Sequence, residues 1–152
     1  MNSNLKPSDA VAVVGAIDPD ATAASTVTTG WVSMADWGAL LAIVMAGTLG
    51  TSATLDAKFE QATDGSGTGA KDIADSDITQ LTQAGTDSDK QALIEVFADQ
   101  LDINNGFTHV RLSMTVGAAT SDAGAVLLGF YPRQGAASDS DAATVDEIVT
   151  VA

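Results

Sequence analysis

Apolar and polar residues alternate with a period of two in the two clearest segments of the chain. In 53–61, Ala53, Leu55, Ala57 and Phe59 fall on one side, and Thr54, Asp56, Lys58 and Glu60 on the other. In 108–116, Val110, Leu112, Met114 and Val116 oppose His109, Arg111, Ser113 and Thr115. Successive side chains of a strand point to opposite faces, so both segments read as half-buried β-strands. Two further runs, 39–46 and 125–131, are apolar at nearly every position. They read as central strands, or as strands whose second face is covered by a neighbouring subunit.

Segment 88–101 fits two periods. Leu93, Val96, Phe97, Gln100 and Leu101 have helical spacing, with Ser88 or Asp89 as a cap, while Ala92, Ile94, Val96 and Ala98 alternate. The strand is the preferred reading because strands flank it. Asp72 to Thr82 reads as a weak polar strand or loop. Turn-forming clusters recur at 18–20, 29–30, 47–50, 64–69, 85–89, 104–106, 117–124 and 132–141, a spacing typical of a sandwich or barrel. The expected fold is therefore all-β: one jelly-roll-like β-sandwich domain over residues 1–152. A polar arm covers 1–9, and a polar loop over 134–143 precedes a C-terminal strand over Thr144–Ala152.

Composition narrows the function. With 152 residues, 45% hydrophobic and 17% charged, the chain has the apolar content to fold as one domain. Aromatics make up only 5%, so the core must be built mainly from small aliphatic side chains. Twenty acidic against six basic residues give a formal charge of −14. Nucleic-acid binding depends on Lys and Arg displacing counterions, and no basic run exists here, so no nucleic-acid partner is expected. No membrane partner is expected either: the greasiest window, Trp37 to Leu49, is about thirteen residues, against the roughly twenty of a spanning helix. The absence of cysteine removes disulfides and thiolate chemistry.

Candidate chemistry is sparse. His109 is the only histidine, it lies on a polar strand face, and no Gly-x-Ser-x-Gly elbow accompanies it. A surface or interface role suits it better than that of a general base. The loop Asp64 to Gly69 lacks the Lys of a phosphate loop. In a calcium-loop register Asp64, Ser66, Thr68, Gly69 and Asp75 would fall at positions 1, 3, 5, 6 and 12, with too few carboxylates. It reads as a hairpin or surface loop, and the acidic clusters at 75–77, 87–89 and 139–141 as solvated loops. No catalytic residue, cofactor or metal is expected, and the chain does not read as an enzyme. Trp31, Trp37, Phe107 and Tyr131 are the candidate packing or interface anchors.

The stretch Trp31-Val32-Ser33-Met34-Ala35-Asp36-Trp37, followed by Leu41 to Gly47 and Ala53 to Asp64, resembles small virion proteins of tailed bacteriophages. The likeness continues through Asp72 to Leu81, Gln100 to Asp102 and Phe107 to Arg111, spanning roughly 10–131. It implies a structural component of a phage particle, above all a capsid decoration or cement protein. Such a protein would sit on the outer shell as a homo-oligomer, for instance a trimer, and bridge major capsid subunits. A head–tail or tail component is the neighbouring reading. A carbohydrate- or calcium-binding β-sandwich module is the rival from another class.

Overall fold

The computed structural model describes residues 5–151. Ten strands follow one short helix, Pro7–Ala10: β1 (Val11–Thr22), β2 (Ser25–Thr28), β3 (Val32–Ser33), β4 (Trp37–Ala46), β5 (Thr54–Ala62), β6 (Lys71–Asp72), β7 (Leu81–Thr82), β8 (Gln91–Phe97), β9 (His109–Gly117) and β10 (Ser121–Pro132). They form two antiparallel sheets. Sheet A has the order β1-β10-β4-β8; sheet B has β2-β9-β5-β6, with β3 continuing β2 along β9 and β7 continuing β6 along β5.

Counted this way, sheet B holds four strands, two of them broken. The pairings nest: β1 with β10, β2 and β3 with β9, β4 with β8, and β5 with β6 and β7. Successive nested pairs alternate between the sheets. This is a jelly roll, a long antiparallel hairpin wound into two facing sheets. The domain is a single all-β sandwich, as the turn spacing suggests.

Side-chain alternation places the core. β5 and β9 point Leu55, Ala57, Phe59, Val110, Leu112, Met114 and Val116 inward, all essentially solvent-free. Sheet A answers with smaller groups, Ala42, Ala46, Ala123 and Ala125 among Leu40, Val44 and Leu127. The ambiguous 88–101 segment is strand β8 over its central part, with Ile94 and Val96 buried and Leu93 exposed. A 3-10 turn, Ala98–Gln100, ends it. The weak segment after Asp72 is the broken fourth strand of sheet B. It runs beside β5 through backbone bonds from Ile73 N to Phe59 O and Ile78 N to Ala57 O. Between them the buried Ser76 Oγ accepts from Phe59 N at 3.1 Å.

Three expectations change. Asp18-Pro19-Asp20 forms no chain-reversing turn but lies inside β1, where the register shifts between Ile17 and Asp20. Proline is tolerated there because β1 is an edge strand and the bulge needs no amide. Of the expected arm, residues 1–4 lie outside the described residues, while Pro7 opens a one-turn helix, Pro7–Ala10. The expected C-terminal strand is absent over 144–151, where the backbone joins no sheet. Strand-forming side chains need a neighbouring strand, and the adjacent edge of β1 is already engaged at Val13 by Asp141 and Ala142.

Candidate assembly interface

The outward faces of the two sheets differ in kind. On sheet B, β9 and β5 present polar side chains: Arg111 Nε donates to Glu60 Oε2 at 2.6 Å, and Lys58 Nζ to Asp72 Oδ2 at 2.7 Å. Thr26 and Thr115 hydroxyls meet at 2.8 Å. This is the solvated face that the alternation in 53–61 and 108–116 indicates.

Sheet A turns out an apolar grid. The register sets Val11, Phe130, Ala39 and Phe97 in one row across the four strands. Val13, Leu128, Leu41 and Glu95 form the second, and Ala16, Val126, Ile43 and Leu93 the third. Of these positions only Glu95 is charged. The row order depends on a bulge in β1 between Val13 and Gly15, which inserts Val14 and puts Ala16 back on the outer side. Leu93 is 61% and Phe97 46% exposed, while Leu41, Ile43, Val126, Leu128 and Phe130 are half-buried and Ala39 is buried. Strands about 4.8 Å apart and a rise of about 3.3 Å per residue give the grid a plane of roughly 400 Å². That is the size of the largest apolar patch on a typical monomer, which is often a functional surface.

One end of the grid opens into a cleft of about 740 Å³ between the Pro7–Ala10 helix and β10, bordered by Leu5, Val11, Phe130 and Tyr131. Tyr131 shapes its rim. Its φ of 55° is left-handed, a conformation costly for an aromatic residue. It leaves the side chain 66% exposed and leaning over Gly38, where a Cβ would come within 2.9 Å of that of Tyr131.

The four aromatic candidates are spread across the molecule. Trp37 is buried in the core against Gly129, and Phe107 is buried with Lys71 Nζ 4.2 Å above its ring. Trp31 is half-buried at the end of sheet B, stacked under Arg111 at 4.5 Å and pressed on Gly67. Only Tyr131 borders the apolar grid. The grid's central residues, Leu41, Ile43, Val126 and Leu128 among them, were signalled by the two doubly apolar runs. Their gathering on one sheet face requires the strand order, which local periodicity does not contain.

The polar candidates have structural employment. His109 Nδ1 lies 2.9 Å from Thr108 Oγ1 on the outer face of sheet B. Asp64 Oδ1 accepts from Ser66 N at 2.9 Å and Thr68 N at 3.0 Å, so the carboxylate that would head a calcium loop closes its own turn. Hydrogen bonds from Thr68 and Ser66 hold the Asp64 carboxyl below the usual carboxylate value. Lys90 and the Thr82 amide do the same for Asp87, and Lys71 and Asn105 for Asp102. Among the described residues, no group of three or more His, Asp or Glu gathers as a metal set, and no helix is long and apolar enough to cross a membrane.

No protein-family model matches the sequence, and no curated protein matches it. Among solved structures, a chain of the cryo-EM structure of broad bean stain virus is similar at 11% identity and a TM-score of 0.48, over 89% of this chain and 95% of that one. A chain of infectious bursal disease virus, Gx strain, is similar at 12% identity and a TM-score of 0.44, over 84% of this chain and 33% of that one. A chain of an empty cowpea mosaic virus-like particle is similar at 11% identity and a TM-score of 0.40, over 85% and 84%. These values are too low to bear on function, and the jelly-roll assignment rests on the strand order itself.

Proposed function

We propose that this protein is a structural component of a tailed-phage virion, a capsid decoration or cement protein. Its apolar outer face of sheet A would pack against the major capsid protein. The grid centred on Leu128 and Leu41 carries the reading, because its one charged position leaves it suited to packing and little else. The sequence resemblance of 10–131 to small virion proteins supplies the setting. The charge of −14 fits an outer location, since it gives the protein no affinity for the packaged genome. Sheet B, with its ion pairs and threonines, would then face solvent.

Burying a grid of roughly 400 Å² supplies about half of what one partner contributes to a standard interface, with the rim at Leu5, Tyr131 and Met45 adding to it. Such a contact clamps adjacent shell subunits without chemistry. The direct test mixes the purified protein with empty shells assembled from a tailed-phage major capsid protein. Saturable binding and a higher shell-disruption temperature are expected. Binding to glycans, or a calcium-dependent rise in melting temperature without shell binding, would replace this reading by that of a binding module.

A further inference from the structure

The two edges of sheet A are finished differently. β1 is guarded: it is bulged twice, carries Pro19 between the exposed Asp18 and Asp20, and is covered at Val13. There Val13 N donates to Asp141 Oδ1 at 2.8 Å, and Ala142 N donates to Val13 O at 2.7 Å. β8 has neither bulge nor proline, and among the described residues its last amide alone is covered, Phe97 N donating to Gln100 Oε1 at 2.8 Å. It runs from Gln91 to Phe97 in unbroken register with β4, without Pro, Lys or Arg. Among the described residues, no strand pairs with its far side. A mainly polar groove of about 380 Å³ meets it at Glu95 and Val96, bordered beyond them by Ile73, Asp75, Leu101 and Asp102. Sheets guard free edges against pairing with other chains, so the open stretch of β8 ahead of Phe97 is a site for an added strand.

The chain also carries a strand-like segment without a sheet. Beyond Ala142 it continues as Thr144, Val145, Asp146, Glu147, Ile148, Val149, Thr150 and Val151, which pair with no strand among the described residues. Ile148, Val149 and Val151 are 50%, 74% and 92% exposed. This segment leaves the molecule at the β1 edge, the opposite side of sheet A from β8. To reach its own β8 it would have to cross the apolar face over β10 and β4, setting backbone amides against hydrocarbon without partners.

We infer that residues 144–151 of one copy add as a fifth strand to the free edge of β8 in a second copy. Backbone hydrogen bonds supply the affinity, and alternate side chains place aliphatic groups beside Leu93 and Phe97 outside and toward the Ile94–Val96 side within. Asp146 and Glu147 precede the aliphatic half, so the paired stretch is centred on Ile148 to Val151. Donor and acceptor are different surfaces, so the contact is heterologous. It closes into a ring, such as a trimer, where the rotation permits. This pairing uses the edge of sheet A, not its face, and stands whether or not that face docks on a shell.

The chain has no cysteine, which makes the test clean. Val149→Cys and Leu93→Cys are prepared separately, mixed, and oxidised with glutathione disulfide. A disulfide-linked pair that contains one of each is expected, together with at least a tenfold weaker self-association of Val149→Pro by light scattering, with its melting temperature unchanged. Four results would overturn the inference. They are a doubly substituted chain that closes on itself as a monomer, either single variant linking to its own kind, a wild-type protein that is monomeric at all concentrations, and a mixture that forms no linked pair while Val149→Pro associates normally.

Discussion

Replacing Leu128 by Asp tests the apolar face where it is densest. Leu128 sits on β10 between Val13 and Leu41, in the middle row of the grid, half-buried in the free protein. Within the fold the change removes two cross-strand contacts, worth about 0.2–1 kcal/mol each, and sets a poor strand former in a central strand. A loss of about 1–2 kcal/mol follows, or about 2–8 °C in melting temperature for a chain of this length. At an interface a further cost is added. Full burial of a leucine contributes about 1.5–3 kcal/mol; for the half still exposed that is about 0.8–1.5 kcal/mol, and at about 1.4 kcal/mol per decade its loss weakens binding about 4- to 12-fold. Desolvating the new carboxylate adds to that. Thr115→Asp, on the outer face of sheet B, is the control with a similar strand-propensity cost. Co-sedimentation with empty shells at fixed salt reads both variants. If Leu128→Asp binds like the wild type, or Thr115→Asp loses binding equally, the docking face is not the outer side of sheet A.

Three further predictions concern the scaffold. Ser76→Ala leaves the buried Phe59 amide without its acceptor and should cost about 1–3 kcal/mol, read from chemical denaturation. Gly129→Ala would put a Cβ 2.6–2.8 Å from Trp37 ring atoms, and overpacking of that kind costs about 1–3 kcal/mol. Trp37→Leu should relieve part of this loss, so a double-mutant cycle that came out additive would contradict the contact. Asp64, Asp87 and Asp102 have carboxyls depressed in the fold and return to about 3.9 when unfolded. Their contribution is therefore complete above that value and disappears as pH falls through the lower folded values. Thermal scans should show stability falling below about pH 4, with a shallower fall in Asp87→Asn.

Much of the fold was legible because half-buried strands announce themselves. The period of two in 53–61 and 108–116 marks β5 and β9 with the correct inward residues, and alternation at Ala92, Ile94 and Val96 marks β8. The apolar runs 39–46 and 125–131 signalled that β4 and β10 have no polar face. What local pattern cannot hold is the partner of each strand. The grid exists only because β1 and β8 flank β10 and β4 in one register, a consequence of pairings between distant residues. The same limit explains the C-terminal segment, where Val145, Ile148 and Val149 have strand chemistry but no pairing strand among the described residues. The strained backbone of Tyr131 left no trace either, since nothing in an aromatic residue announces a positive φ.

The nested winding has a consequence for synthesis. β1 leaves the ribosome about a hundred residues before β10, its one ladder partner among the described residues. At 5–20 residues per second the interval is on the order of ten seconds. Throughout it Val11, Val13 and Ile17 have no strand to lie against, and β4 gains β8 on one side while its other side waits for β10. Sheet A thus closes from its latest-made strand, and a nascent chain stalled before residue 121 displays the future core to whatever chaperone or sister chain is near.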